Sequence, residues 1–266
     1  MTAPLLVARD GAIATLTMNR PETRNALTDE DMIDALESAL VELNADTSVR
    51  VAILTGNGPA FSSGGNLKKM NEPGGLSKLP PVGVRTGYRH GIQRLPMIFQ
   101  RIDLPVIAAV NGPAIGAGCD LTCMCDLRIA GEAATFAESF VKVGLIPGDG
   151  GAWLLPRVVG FSKACEMALT GETIDAREAL NIGLVSKVVA DADLLAEARK
   201  LAERIAVNPP HAVRMTKRLL REAQVATLPA ILELSSALQA LAHHTGDHRE
   251  AVNAFVERRK PDFKGD

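Results

Sequence analysis

Apolar residues alternate at the start of the chain, recur at helical spacing further on, and bunch into short unbroken runs in between. Residues 5–8 and 13–18 read as two strands joined by a turn at Asp10-Gly11. A helix follows, with Met32, Leu36, Leu40 and Leu43 on one face. Thr28 is placed as its N-cap, and Asp29, Glu30 and Asp31 fall in the first turn, where the helix dipole favours negative charge. Residues 49–55 and 104–110 are apolar runs running into glycine-rich stretches, the pattern of buried strands that end in loops. Residues 71–87, rich in Gly and Pro, are expected as a mobile surface loop, and residues 88–102 as a helix. The turn at residues 111–118 leads into an apolar helix from Cys119. Strand, loop and helix thus recur, which suggests a spiral of ββα units.

The last third is helical by pattern. Residues 192–206, 211–226, 229–244 and 247–259 are amphipathic, and Asn208-Pro209-Pro210 separates the first helix from the second. This is more helix than one subunit needs to cover a sheet, so part of it is expected to pack on a neighbouring subunit.

Composition narrows the partners. Of 266 residues, 47% are hydrophobic and 23% charged, an ordinary globular balance. A formal charge of −2 gives no basic field for nucleic acid or an anionic membrane, although a few local cations suffice for a small polyanion. No apolar run reaches the length of a membrane span, and the first ten residues lack the basic and apolar regions of a secretory signal; the expected location is the cytoplasm. Cys119, Cys123 and Cys125 crowd together without a C-x-x-C pair, so buried reduced thiols are expected rather than a metal site. The five histidines have no ligand company, and no serine sits in a G-x-S-x-G elbow.

Three glycine-rich loops remain: Phe61-Ser62-Ser63-Gly64-Gly65-Asn66-Leu67, then Asn111-Gly112-Pro113-Ala114-Ile115-Gly116-Ala117-Gly118, then the stretch at residues 144–151. None is a phosphate loop, because no Gly is followed by Lys and a hydroxyl residue. Gly116-Ala117-Gly118 and Gly56-Asn57-Gly58 both lack the third glycine of a dinucleotide fingerprint. Two uses stay open. The glycines either make tight turns or let backbone N–H groups approach a ligand oxygen, and two such donors from different loops form an oxyanion hole.

These loops carry a resemblance that extends over nearly the whole chain. Arg20-Pro21 with Asn25-Ala26-Leu27, the 61–67 and 104–112 stretches, Gly116-Ala117-Gly118-Cys119-Asp120-Leu121, Cys125-Asp126 and the 144–151 loop agree in order and spacing with the crotonase superfamily, also called the enoyl-CoA hydratase/isomerase family. So do Leu169-Thr170-Gly171, Gly183-Leu184-Val185 and the 255–260 stretch. The resemblance implies an α/β fold: a spiral ββα core holding an acyl-CoA site over residues 1–190, then a helical C-terminal region used for trimerisation over 191–266. It implies a homotrimer or a dimer of trimers acting on an acyl-CoA thioester, with coenzyme A part of the substrate and no separate cofactor. By the same matching, the oxyanion donors are the N–H groups of Gly65 and Ala117. Glu22, Thr23, Arg24 and Ala26 lie along the coenzyme A nucleotide, and Ser63, Asn66 and Leu67 line the pantetheine and acyl path. Lys68 contacts phosphate, and Phe255 and Arg258 reach a coenzyme A in the neighbouring subunit. Arg24, Lys68 and Arg258 read equally as solvated surface cations.

The reaction depends on acid and base groups. Hydration as the family performs it uses two glutamates around one water. The matching positions here are Asp120, one methylene shorter, and Phe140, which cannot transfer a proton. Asp120 reads either as a base or as a helix cap. Asp149 reads either as an acid/base group or as a turn residue; family members that shift double bonds carry their aspartate one residue earlier, where Gly148 stands. Glu138 shares the face of Phe140 if the segment is extended, and reads as a solvated or structural acid. One carboxylate suffices for a proton shift, so isomerase-like chemistry is favoured, with hydration next. Another enolate reaction (hydrolysis or decarboxylation) and a non-catalytic acyl-CoA-binding trimer stand as alternatives.

Overall fold

The structure is a computed structural model describing residues 2–266. Its main sheet has six strands in the order β1-β2-β3-β4-β6-β9. The opening hairpin pairs β1 (Leu5–Asp10) with β2 (Ile13–Met18) antiparallel, and the turn at Asp10-Gly11 falls where the sequence placed it. Helix α1 (Glu30–Ala45) crosses to β3 (Val51–Gly56), which pairs parallel with β2. The N-cap of α1 is Asp29, not Thr28, whose hydroxyl is used elsewhere.

The next segment differs most from expectation. Residues 71–87 are not a featureless loop. The short helix α2 (Leu67–Asn71) precedes a single turn at Leu76–Lys78, and α3 (Pro81–His90) starts inside the glycine- and proline-rich stretch. Pro81 sits at the first helical position, where its missing N–H costs nothing. A Cβ on Gly87 would lie 2.6 Å from Leu76 Cδ2, so this glycine permits close packing within a helix. A break at Gly91 separates α3 from α4 (Arg94–Arg101).

Strand β4 (Val106–Val110) runs parallel to β3, and the two-residue strand β5 (Ala114–Ile115) opens a second, three-stranded sheet. Helix α5 (Ala117–Met124), starting two residues earlier than expected, leads to β6 (Leu127–Gly131) and β7 (Thr135–Ala137). Then come α6 (Gly151–Val159), α7 (Phe161–Thr170), β8 (Ile174–Asp175), α8 (Ala176–Asn181) and β9 (Lys187–Val189). The small sheet has the order β5-β7-β8.

The unbroken apolar runs arise because the main sheet is covered on both faces. Leu16, Leu54, Ala108 and Val110 point into the larger core with Leu36 and Leu40 of α1, where a buried leucine contributes about 1.5–3 kcal/mol. Val51, Ile53, Ile107 and Ile129 point the other way, onto Leu194, Ala198 and Ala202 of α9 (Leu194–Ala206). The helical region expected from residue 191 is therefore divided: its first helix closes the sheet of the core. Helix α10 (Pro210–Glu222) is held to the core edge by polar anchors. Lys217 Nζ meets Asp126 at 2.9 Å and the Leu104 carbonyl at 2.6 Å, and Arg221 meets Asp126 at 2.8 Å. Helix α11 (Leu228–His243) buries no residue, and α12 (Gly246–Glu257) buries only Asp247 and Ala254. No described helix is long and apolar enough to cross a membrane.

Candidate active site

Strands β3 and β4 are neighbours in the sheet, so the loops that follow them emerge side by side. The two loops are then joined. Ser62 N–H donates to the Pro113 carbonyl at 3.1 Å, and Ile115 N–H donates to the Ser62 carbonyl at 3.0 Å. Contact at this range needs glycine: a Cβ on Gly64 would lie 3.0 Å from Ala117 N, and one on Gly118 would lie 3.0 Å from Ser62 Cβ. Gly64 (φ 77°) and Gly116 (φ 55°) also hold left-handed backbone. Each immediately precedes one of the expected donors.

Gly65 and Ala117 both border a cavity of about 180 Å³, and neither N–H makes a hydrogen bond among the described residues. Ala117 is the first residue of α5, a position whose N–H has no partner within the helix. The walls are mainly apolar, with Ile33, Met70, Leu76, Ile92, Phe140 and Leu145 prominent. Asp149 is the sole carboxylic acid bordering it.

Behind Asp149 lie two more carboxyls. Asp120 is fully buried and Glu138 is 1% exposed. Asp120 is within hydrogen-bonding reach of both Glu138 and Asp149 when a proton lies between them, and Glu138 lies near the Cys119 thiol without a formed hydrogen bond. Among the described residues, both oxygens of Asp120, both of Glu138 and Oδ1 of Asp149 have no hydrogen-bond donor outside the cluster. Ionised carboxylates only accept, so such a cluster is satisfied only when protons are held between its members. Burial, then the charges of Glu138 and Asp149, push Asp120 far up. Burial pushes Glu138 up to about 7 and raises Asp149. The Cys119 thiol is likewise pushed up, by its hydrogen bond with Cys123 and by burial.

The structure thus brings Ser63, Gly65, Leu67, Ala117, Phe140 and Asp149 to one cavity. Asp120 borders Asp149 instead of the cavity. It is not a helix cap either, since Gly116 caps α5. Glu138, expected as a solvated or structural acid, is buried against Asp120. The segment is not extended as that reading required: the strand ends at Ala137, and Glu138 precedes a 3-10 turn over Ser139–Val143, so the spacing to Phe140 gave no signal for its burial. Tyr88, at the end of α3, also borders the cavity, and the loop expectation for the preceding residues concealed it.

Other expected contacts lie beside the cavity. Ser63 N–H donates to the Arg24 carbonyl at 2.8 Å and Ser63 Oγ to the Thr23 carbonyl at 2.9 Å, which places the 22–26 segment along the same loop. Glu22, Arg24 and Lys68 are exposed there, whereas the Ala26 side chain is buried in the core and offers no surface. Asn66 does not border the cavity: its Oδ1 caps α2 by accepting from Lys69 N at 3.2 Å, and its own N–H donates to Thr28 Oγ1. Phe255, 85% exposed, and Arg258, just past α12, do not border the cavity of their own chain.

A sequence model of the family described as enoyl-CoA hydratase/isomerase matches residues 8–266. The 2,3-dehydroadipyl-CoA hydratase of Escherichia coli (strain K12) is 38% identical over 264 residues, covering 98% of this chain and 98% of its own length. The 1,2-epoxyphenylacetyl-CoA isomerase of the same strain is 38% identical over 254 residues, covering 95% of each. Among solved structures, an enoyl-CoA hydratase from Bacillus anthracis superposes with a TM-score of 0.91 at 33% identity, covering 99% of this chain and 100% of its own.

Proposed function

This chain is a member of the enoyl-CoA hydratase/isomerase family with its crotonase fold, and from that premise we propose that it moves a proton along the acyl chain of an enoyl-CoA thioester. Asp149 takes a proton from a carbon adjacent to the conjugated system. The C–H electron pair passes into the thioester, leaving an enolate whose oxygen accepts hydrogen bonds from Gly65 and Ala117 N–H. Asp149 then returns the proton to a different carbon, and the double bond is displaced with no net change in atoms. In comparable sites one such donor is worth roughly 10²–10³ in rate, and a dry cavity strengthens it. Asp120 stays protonated and donates to Asp149, which fixes the carboxylate's orientation.

The observation that carries this reading is the pair of partnerless amides bordering the same cavity as a single carboxyl group. Phe140 stands where a second acid would flank a water, and a one-base reaction does not need it. Coenzyme A enters as part of the substrate, along the exposed 22–24 segment, with Lys68 near its phosphates. The exposed Leu228, Leu232 and Leu241 on α11 support a trimer, or a pair of trimers, in which Phe255 and Arg258 reach a neighbour's coenzyme A.

Incubating the protein with 2-enoyl and 3-enoyl thioesters in heavy water, with products read by mass spectrometry, tests the proposal. A proton shift gives the positional isomer, separated by chromatography. Its mass is unchanged apart from any deuterium that enters when Asp149 exchanges its proton before returning it, and Asp149→Asn abolishes the conversion. Products that gain the mass of water would establish hydration instead. Binding without turnover, unchanged in the Asn variant, would reduce the protein to an acyl-CoA binder.

A further inference from the structure

Tyr88 is the only tyrosine in the chain and the only phenol bordering the cavity. Its ring packs on the backbone just before Asp149: a Cβ on Gly148 would lie 2.7 Å from Cε1 and 3.5 Å from Cζ. Any side chain at residue 148 would therefore have to displace the ring. Gln93 holds the same turn from outside, its Nε2 donating to the Gly148 carbonyl at 2.7 Å.

The phenol itself is unused. It makes no hydrogen bond within the chain, and burial together with the charge of Asp149 pushes its ionisation up, so it remains an O–H donor across the physiological range. A half-buried donor with no partner, among apolar walls, loses solvation that a ligand oxygen restores. The nature of that oxygen is limited by the surroundings. Among the described residues no lysine or arginine borders the cavity; Arg85 and Arg89 lie on the other side of Tyr88, along a separate surface opening. Asp149 contributes negative charge, so an acyl group ending in a carboxylate would meet no cation within the cavity. A neutral acceptor fits.

We propose that Tyr88 determines specificity by donating a hydrogen bond to a neutral oxygen on the acyl chain, so that the preferred substrates are thioesters bearing a ketone, hydroxyl or epoxide beyond the α carbon. The inference rests on the cavity being an acyl-CoA site. It concerns Tyr88 Oη as a contact to substrate, distinct from the proton transfer assigned to Asp149. A site built around such a donor discriminates against the analogue that lacks the oxygen, because the apolar chain then displaces water from the donor without replacing its hydrogen bond.

The test compares straight-chain enoyl-CoA thioesters with counterparts in which one methylene beyond the double bond is replaced by a ketone. The wild-type protein is expected to favour the ketone member in kcat/KM. Tyr88→Phe keeps the ring on Gly148 and is expected to lower the ketone-to-parent ratio about tenfold, the scale of one neutral hydrogen bond. A ratio that does not move, including one in which both substrates lose equally, would overturn the proposal. Binding is read independently of turnover by replacing the single tyrosine with 3-fluorotyrosine, which gives one fluorine resonance. Ketone thioesters should shift it further than their parents, and equal shifts, or none, overturn the proposal. Turnover with an unmoved ratio leaves the Asp149 mechanism standing. Differential fluorine shifts without turnover leave the Tyr88 contact standing.

Discussion

Replacing Glu138 by Gln should change how stability depends on pH, in the direction opposite to ordinary acid unfolding. Glu138 is 1% exposed, and burial pushes it from 4.5 to about 7. Its folded value lies above its unfolded value, so below about pH 4.5 both states are protonated and the full contribution is present. Between about 4.5 and 7 the unfolded chain releases a proton that the folded chain keeps, and stability falls as pH rises. Above about 7 both states are ionised and the loss is complete. The gap of about 2.5 pH units, at about 1.4 kcal/mol each, amounts to about 3–4 kcal/mol. Asp120 and Asp149 are displaced in the same direction, so the wild-type decline is at least this steep. Glutamine keeps the shape and a hydrogen-bonding end but cannot ionise. Urea unfolding of both proteins at one concentration, from pH 4.5 to 8, measures the difference. The variant should be less stable or equal at the acid end and gain on the wild type toward pH 8. Parallel curves would refute the buried, proton-sharing cluster.

Two further substitutions probe the same geometry. Gly151→Ala puts a Cβ within 2.6 Å of Asp120 Cγ and Oδ2 and should destabilise by about 1–3 kcal/mol; in an Asp120→Ala background that cost should vanish, so additive unfolding energies would rule out the contact. Ala117→Pro removes the N–H of one proposed donor at a helix position where proline is well tolerated, so the melting temperature should hold while kcat falls about 10²–10³-fold; unchanged kcat would exclude this amide from the reaction.

The sheet and the long helices were legible because their patterns are local. The run at residues 49–55 needs burial on two faces, and Met32, Leu36 and Leu40 declare a helix without reference to anything distant. The Pro81–His90 helix was hidden because Gly83 and Gly87 lower local propensity, while the contact that uses Gly87, with Leu76, is tertiary. Thr28 has the chemistry of a cap, but a donor from another loop, Asn66 N–H, takes its hydroxyl. Asp149 and Asp120 could be chosen as candidates from their loops. That one faces the cavity and the other only its neighbour is decided by where α5 and α6 meet, and nothing in either loop encodes it.

Because the two proposed donors belong to the main chain, their identity is written in strand order and loop shape rather than in side chains. A saturation screen for lost activity would register Gly64, Gly116 and Gly118, whose replacement distorts the loops, and would miss the donors themselves at most substitutions. Replacing the N–H with an ester oxygen at residue 65 or 117, by chemical synthesis or suppression, is the perturbation that genetics restricted to natural amino acids cannot supply.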